Sequence, residues 1–103
     1  MAVRVNEEDF DKLVLQNDLP VLVDFFSDSC IPCKRMAGVI GDLEDENEGK
    51  IAVYKVNVPY SEKLVAEYSV MSAPTLIAFQ NGKETGRLTG IQSKEALLAL
   101  LGI

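Results

Sequence analysis

The chain contains no histidine and no tryptophan, and only two of its 103 residues are cysteine. Without imidazole, any proton transfer near neutral pH must fall to another side chain. A structural zinc site, which wants four nitrogen or sulfur ligands, is likewise short of donors. Basic residues are scarce as well: 10 Lys and Arg face 16 Asp and Glu, for a formal charge of −6. That balance argues against nucleic acid and anionic membrane as partners. No run approaches membrane-spanning length, and Met1-Ala-Val-Arg-Val-Asn lacks the long apolar segment of a secretory signal. The expectation is therefore a cytoplasmic protein. In that reducing setting a cysteine pair serves catalysis or metal binding rather than structure. Repeats, linkers and low-complexity segments are missing too, and the length suits a single domain over residues 1–103.

What the sequence does have is Ser29-Cys30-Ile31-Pro32-Cys33-Lys34. Before it, Pro20 to Phe26 is a short apolar run of the kind that forms a strand covered on both faces. After it, Met36, Val39, Ile40 and Leu43 recur at helical spacing, so a helix is expected from Lys34 to about Glu46. The cysteines thus fall at a strand-to-helix junction. There the first backbone N–H groups lack intrahelical partners and the aligned dipoles favour negative charge. A thiolate on Cys30 is expected to gain from both, becoming more acidic and more reactive. Pro32 suits the first helical turn. Cys33, one turn inside, is the more shielded thiol. Cys30 is accordingly read as the attacking sulfur and Cys33 as the one that resolves the mixed disulfide.

Around this centre the remaining elements follow in order. A short strand is expected from Ala2 to Val5. A helix capped by Asn6 comes next, with Phe10, Leu13 and Val14 on its buried face. Within the second strand Asp24 shares a face with Leu22 and Phe26. It is either a partly solvated acid near the strand end or a carboxyl buried beneath Cys33, raised in pKa by desolvation. In the second case it is the best-placed proton acceptor for Cys33, through a water. Gly38 marks a bend in the central helix or the approach of another backbone. The acidic residues from Asp42 to Glu48 read as a solvated face. Ile51 to Val58 is expected as a central strand, where Lys55 either approaches Asp24 from next door or sends its stem to the surface. Ser61 is the expected cap of a short helix reaching Tyr68. Leu76 to Phe79 is a strand, Asn81-Gly82 a type I′ turn, and Lys83 to Thr89 the returning strand. Gly86 and Gly90 are candidates for a bulge or a close approach. Ser93 caps, and Gly102 ends, the last helix. The order is α/β, with parallel strands, a C-terminal antiparallel hairpin and helices on both faces.

This succession resembles the thioredoxin family nearly end to end. An apolar strand bearing Asp24, the Cys-x-Pro-Cys-Lys helix start, Pro74-Thr75 before a strand and a Gly-turned hairpin all appear in the family's order. The resemblance implies the thioredoxin fold, with Cys30 as nucleophile, Cys33 as resolving thiol, Asp24 as the buried acid and Lys55 as its neighbouring lysine. It also implies that Pro74 is cis and lies beside the dithiol, keeping metal-binding groups away from the sulfurs. The backbone of Ala73 would then pair with an extended substrate segment, and Gly90 would let that segment lie close. Ile31, Pro32, Ala73, Pro74 and Gly90 together form the implied substrate surface. No cofactor is implied beyond the Cys30–Cys33 disulfide itself. Four positions depart from the family pattern. Ser29 stands for the usual Trp, Ile31 for the commonest Gly, Gly38 for a bending Pro, and Ala73 for a larger apolar residue.

The function expected is a monomeric dithiol carrier that reduces disulfide-containing proteins and is itself re-reduced by a thioredoxin reductase or similar donor. A narrower alternative is a reductant dedicated to one partner enzyme. A third, from another class, is a soft-metal-binding or interaction module holding an ion such as Cu(I) between two thiolates.

Overall fold

The computed structural model describes residues 3–103, so Ala2, expected within the first strand, lies outside the described residues. The strand itself is β1, Val3–Arg4, and Val5 continues it with an N–H donated to the Lys55 carbonyl at 2.8 Å. Asn6 caps the next segment through a bond from the Asp9 N–H, 2.9 Å. That segment is not the regular α-helix expected. Asp11–Leu15 forms a single π turn, closed by Gln16 N–H on the Asp11 carbonyl at 3.0 Å. The wider turn still buries Phe10 and Val14.

The apolar run becomes β2, Val21–Phe26, buried at every position. Helix α1 spans Ile31–Glu46 without interruption. Of the two roles expected for Gly38, the approach of another backbone is absent, since a Cβ built there meets nothing within 4 Å. Strand β3 is Ala52–Asn57, followed by a 3₁₀ turn, Val58–Tyr60, and helix α2, Glu62–Glu67. Ser61 makes no side-chain cap there. The Glu7 carboxylate does so instead, accepting from Lys63 N–H at 2.7 Å and Leu64 N–H at 3.2 Å.

Strands β4, Thr75–Gln80, and β5, Lys83–Thr89, form the expected hairpin. Its turn has φ of 54° at Asn81 and 80° at Gly82, the double positive of type I′. A bulge falls between Ala78 and Phe79, which pair with Gly86 and Glu84 respectively. The close approach foreseen at Gly86 is real: a Cβ there would meet Leu100 Cδ1 at 2.8 Å. Helix α3, Lys94–Leu101, is capped by Ser93 and ends at left-handed Gly102.

The five strands lie in the order β1-β3-β2-β4-β5. β1, β3 and β2 are mutually parallel, while β4 runs antiparallel to both neighbours. β2 is therefore central and β3 sits one place from the edge. Period-two alternation sends Val21, Val23 and Phe25 to one face, with Phe10, Val14, Leu64 and Phe79. Leu22 goes to the other, with Met36, Ile40 and Leu43 of α1 and Leu97 and Leu101 of α3. Each sheet face thus has its own dry layer. The junction bearing the cysteines joins β2, which contributes to both layers, to α1, which packs in the second.

Candidate active site

Cys30 is the residue immediately before α1, in extended backbone conformation, with Pro32 in the first helical turn. Its Sγ accepts the backbone N–H of Cys33 at 3.1 Å. A side chain that caps its own helix in this way is held by the unpartnered donors of the first turn. The two cysteines are joined as a disulfide, their Cα atoms 5.2 Å apart. Cys33 is buried at 6% exposure, whereas Cys30 is only half-buried. The asymmetry that sequence reasoning assigned to an outer and an inner sulfur is present.

Across from Cys30 lies the loop that leads into β4. The Ala73–Pro74 bond is cis, and Cys30 Sγ sits 3.3 Å from the Ala73 carbonyl oxygen. Two bonds fix this loop. The Thr75 hydroxyl donates to the Ser72 carbonyl at 2.7 Å, and Gly90 N–H donates to the Pro74 carbonyl at 3.0 Å. Gly90 adopts φ 78°, a left-handed conformation that a side chain resists. Exposed apolar residues lie next to these segments in the chain. Ile31 is 65% exposed, Met71 91% and Ile91 54%. Met71 and Ile91 carried no signal in the sequence, because an apolar residue in a loop reads the same whether it is covered or bare.

Asp24 is 1% exposed, which excludes the reading of a partly solvated acid. Burial pushes its carboxyl up to about 6, against a smaller downward pull from Lys55. Its Oδ1 has no hydrogen-bond partner among the described residues. Lys55 is its register partner across the β2–β3 ladder, so the sequence expectation of an approach holds. The Lys55 ammonium, however, stands 4.5 Å from the centre of the Phe26 ring, and the Arg4 guanidinium stands 5.0 Å from the same ring. Neither Phe26 nor Arg4 was singled out from the sequence. The alternation that put Phe26 beside Asp24 was the available signal, whereas a two-residue strand gives Arg4 none. Lys55 and Cys33 both line a half-open cavity of about 120 Å³. Among the described residues no three of His, Cys, Asp and Glu gather as metal ligands would.

The thioredoxin family model matches residues 1–102. The chain belongs to the thioredoxin family. Among its relatives is a thioredoxin of Rickettsia felis, 40% identical over 95% of this chain and 93% of that protein. Thioredoxin 1 of Nostoc is 36% identical over 93% and 90% respectively. A chloroplastic M-type thioredoxin of Spinacia oleracea is 39% identical over 90% of this chain and 51% of its own length. A thioredoxin domain whose paired cysteines stand at a helix mouth is a thiol–disulfide oxidoreductase and a protein-disulfide reductase. Its redox group is that pair. No helix among the described residues is long and apolar enough to cross a membrane.

Proposed function

We propose that this thioredoxin-family protein is a single-domain, monomeric, cytoplasmic dithiol carrier in which each sulfur has its own task. Cys30, as thiolate, attacks one sulfur of a substrate disulfide. That S–S bond breaks, one substrate thiol leaves, and Cys30 is left in a mixed disulfide. Cys33 then yields its proton to Asp24 through a water and attacks Cys30 Sγ. The mixed disulfide breaks, the second substrate thiol leaves, and two electrons have passed from the carrier to the target. The Cys30–Cys33 disulfide so formed is reopened by two electrons and two protons from a thioredoxin reductase or similar donor.

The observation that carries this reading is the bond from Cys33 N–H to Cys30 Sγ, with that sulfur facing the carbonyl of Ala73 beside a cis proline. An extended substrate segment pairs with the Ala73 backbone as an added strand. Ile31, Pro32, Pro74 and Gly90 supply the surface on which it lies. Asp24 has the burial and the elevated pKa that suit a proton acceptor near neutral pH, and Lys55 tunes it. Insulin disulfide reduction driven by a chemical reductant tests the assignment. Wild type is expected to accelerate turbidity and Cys30→Ser to give only the background rate; equal rates would reject it.

A narrower reading, a reductant dedicated to one partner enzyme, is favoured by the exposed Ile31, Met71 and Ile91, each within two residues of a proposed contact. Trapping with Cys33→Ser separates the two. Many captured proteins indicate the general carrier, and one dominant protein the dedicated one.

A further inference from the structure

Three of the chain's ten basic residues converge on the cavity beside Cys33. Arg4 comes from β1, Lys55 from β3 and Lys34 from α1, while Asp28 in the loop after β2 is the one carboxylate among the lining residues. In a protein with a formal charge of −6 this is a local reversal of sign. The Asp28 carboxylate does little to offset it. Its contact with Arg4 is 3.4 Å long, between side chains 62% and 68% exposed, which solvent screens to near nothing. Among the described residues Lys34 and Lys55 have no ion pair.

Phe26 explains how the charges stay together. Its ring holds the Arg4 guanidinium at 5.0 Å and the Lys55 ammonium at 4.5 Å. A ring face attracts a cation without neutralising it. Two like charges are thereby fixed at the rim of one hollow, each with donors left over for a guest. The space, about 120 Å³, takes roughly four waters or one tetrahedral oxyanion. A macromolecule is too large for it, and the acidic remainder of the surface repels nucleic acid.

We propose that this cavity is a binding site for a small tetrahedral oxyanion, a phosphate or sulfate dianion, free or carried on a small metabolite. The three cations outnumber the lining Asp28 and the buried Asp24 that acts on Lys55, so the hollow keeps the positive balance that an oxyanion needs. The Arg4 fork offers paired N–H donors to two oxygens, and the two ammonium groups close the remaining sides. The site is separate from the proposed substrate surface, which lies on the Ala73 side of Cys30.

Titration of the oxidised protein with inorganic phosphate, at constant ionic strength maintained with sodium chloride, tests this by amide NMR. The disulfide form is used, so the result stands apart from the assignment of thiol roles. Saturable shifts are expected at Ser27, Asp28, Lys34 and Ala37. Arg4→Gln and Lys34→Gln, both at exposed positions that leave the core untouched, should each weaken binding about fivefold, the loss of one partly exposed charge contact. Acetate should bind more weakly than phosphate. A small phosphomonoester run in parallel identifies the source: tighter binding than phosphate indicates a phosphorylated metabolite, and equal or weaker binding the free ion. Shifts that fail to saturate, that appear equally at Lys12, Lys50 and Lys83, or that keep the same midpoint in both variants would overturn the proposal.

Discussion

Asp24 and Lys55 face each other across two parallel strands, yet the lysine leans on the Phe26 ring and closes no ion pair with the carboxylate. The acid therefore remains under the control of its burial, and Lys55 moderates that effect from nearby.

The first consequence concerns stability. A carboxyl with a folded-state pKa near 6, against roughly 3.9 when unfolded, keeps its proton longer in the folded chain. The resulting stabilisation is complete below about pH 4 and is lost as pH rises through 6. Asp24→Asn removes the buried charge. It should leave stability nearly unchanged at pH 4 and raise it at pH 8 by on the order of 2–3 kcal/mol. Urea unfolding at both pH values measures this; a substitution that destabilises equally at each would contradict the account. The same variant should reduce insulin at neutral pH about tenfold or more slowly.

Lys55 gives a prediction of opposite sense. Its charge lowers the pKa of Asp24, so Lys55→Gln should move that carboxyl above 6, and if Asp24 is the base the reduction rate should rise with pH at a correspondingly higher midpoint. Carbon-13 NMR of the Asp24 carboxyl reads the shift directly. A midpoint that stays put or falls would mean that the ring contact isolates the lysine from the acid.

Gly38 is an exposed glycine in the middle of α1, with open space where its Cβ would stand. Gly38→Ala should stabilise the fold by about 0.5–1 kcal/mol through helix propensity alone. Thermal unfolding provides the test, and a lower midpoint would reveal a packing role that the structure does not contain.

Glu7 is the cap of a helix more than fifty residues away. Glu7→Ala should cost about 1 kcal/mol and raise amide exchange at Lys63 and Leu64 first. Ser61→Ala, at the position where local sequence places the cap, should leave those two amides protected.

These last two cases show which parts of the molecule were legible in its sequence. Apolar runs and turn residues are local signals, so β2, the Asn81-Gly82 hairpin, the Ser93 and Gly102 ends of α3 and the placement of Cys30 before a helix could all be read from neighbours. Asp24 drew notice because a carboxylate interrupts an apolar face, and Lys55 for the same reason one strand over. The π turn at Asp11–Leu15 escaped because its apolar positions serve an α-helix equally well. Glu7 escaped because a carboxylate near a helix start has an obvious local use, and only the folded chain brings it to α2. Arg4, Phe26 and Lys55 meet through three strands whose adjacency no short window records.

The amide that grips the Cys30 sulfur belongs to Cys33 itself. Nucleophile and resolving thiol are consequently wired through one peptide unit, and the strand holding Asp24 is pinned by neighbours on either side. Cycling between dithiol and disulfide then asks for a swing of two sulfur atoms and the relocation of protons, over a platform that has no cause to rearrange.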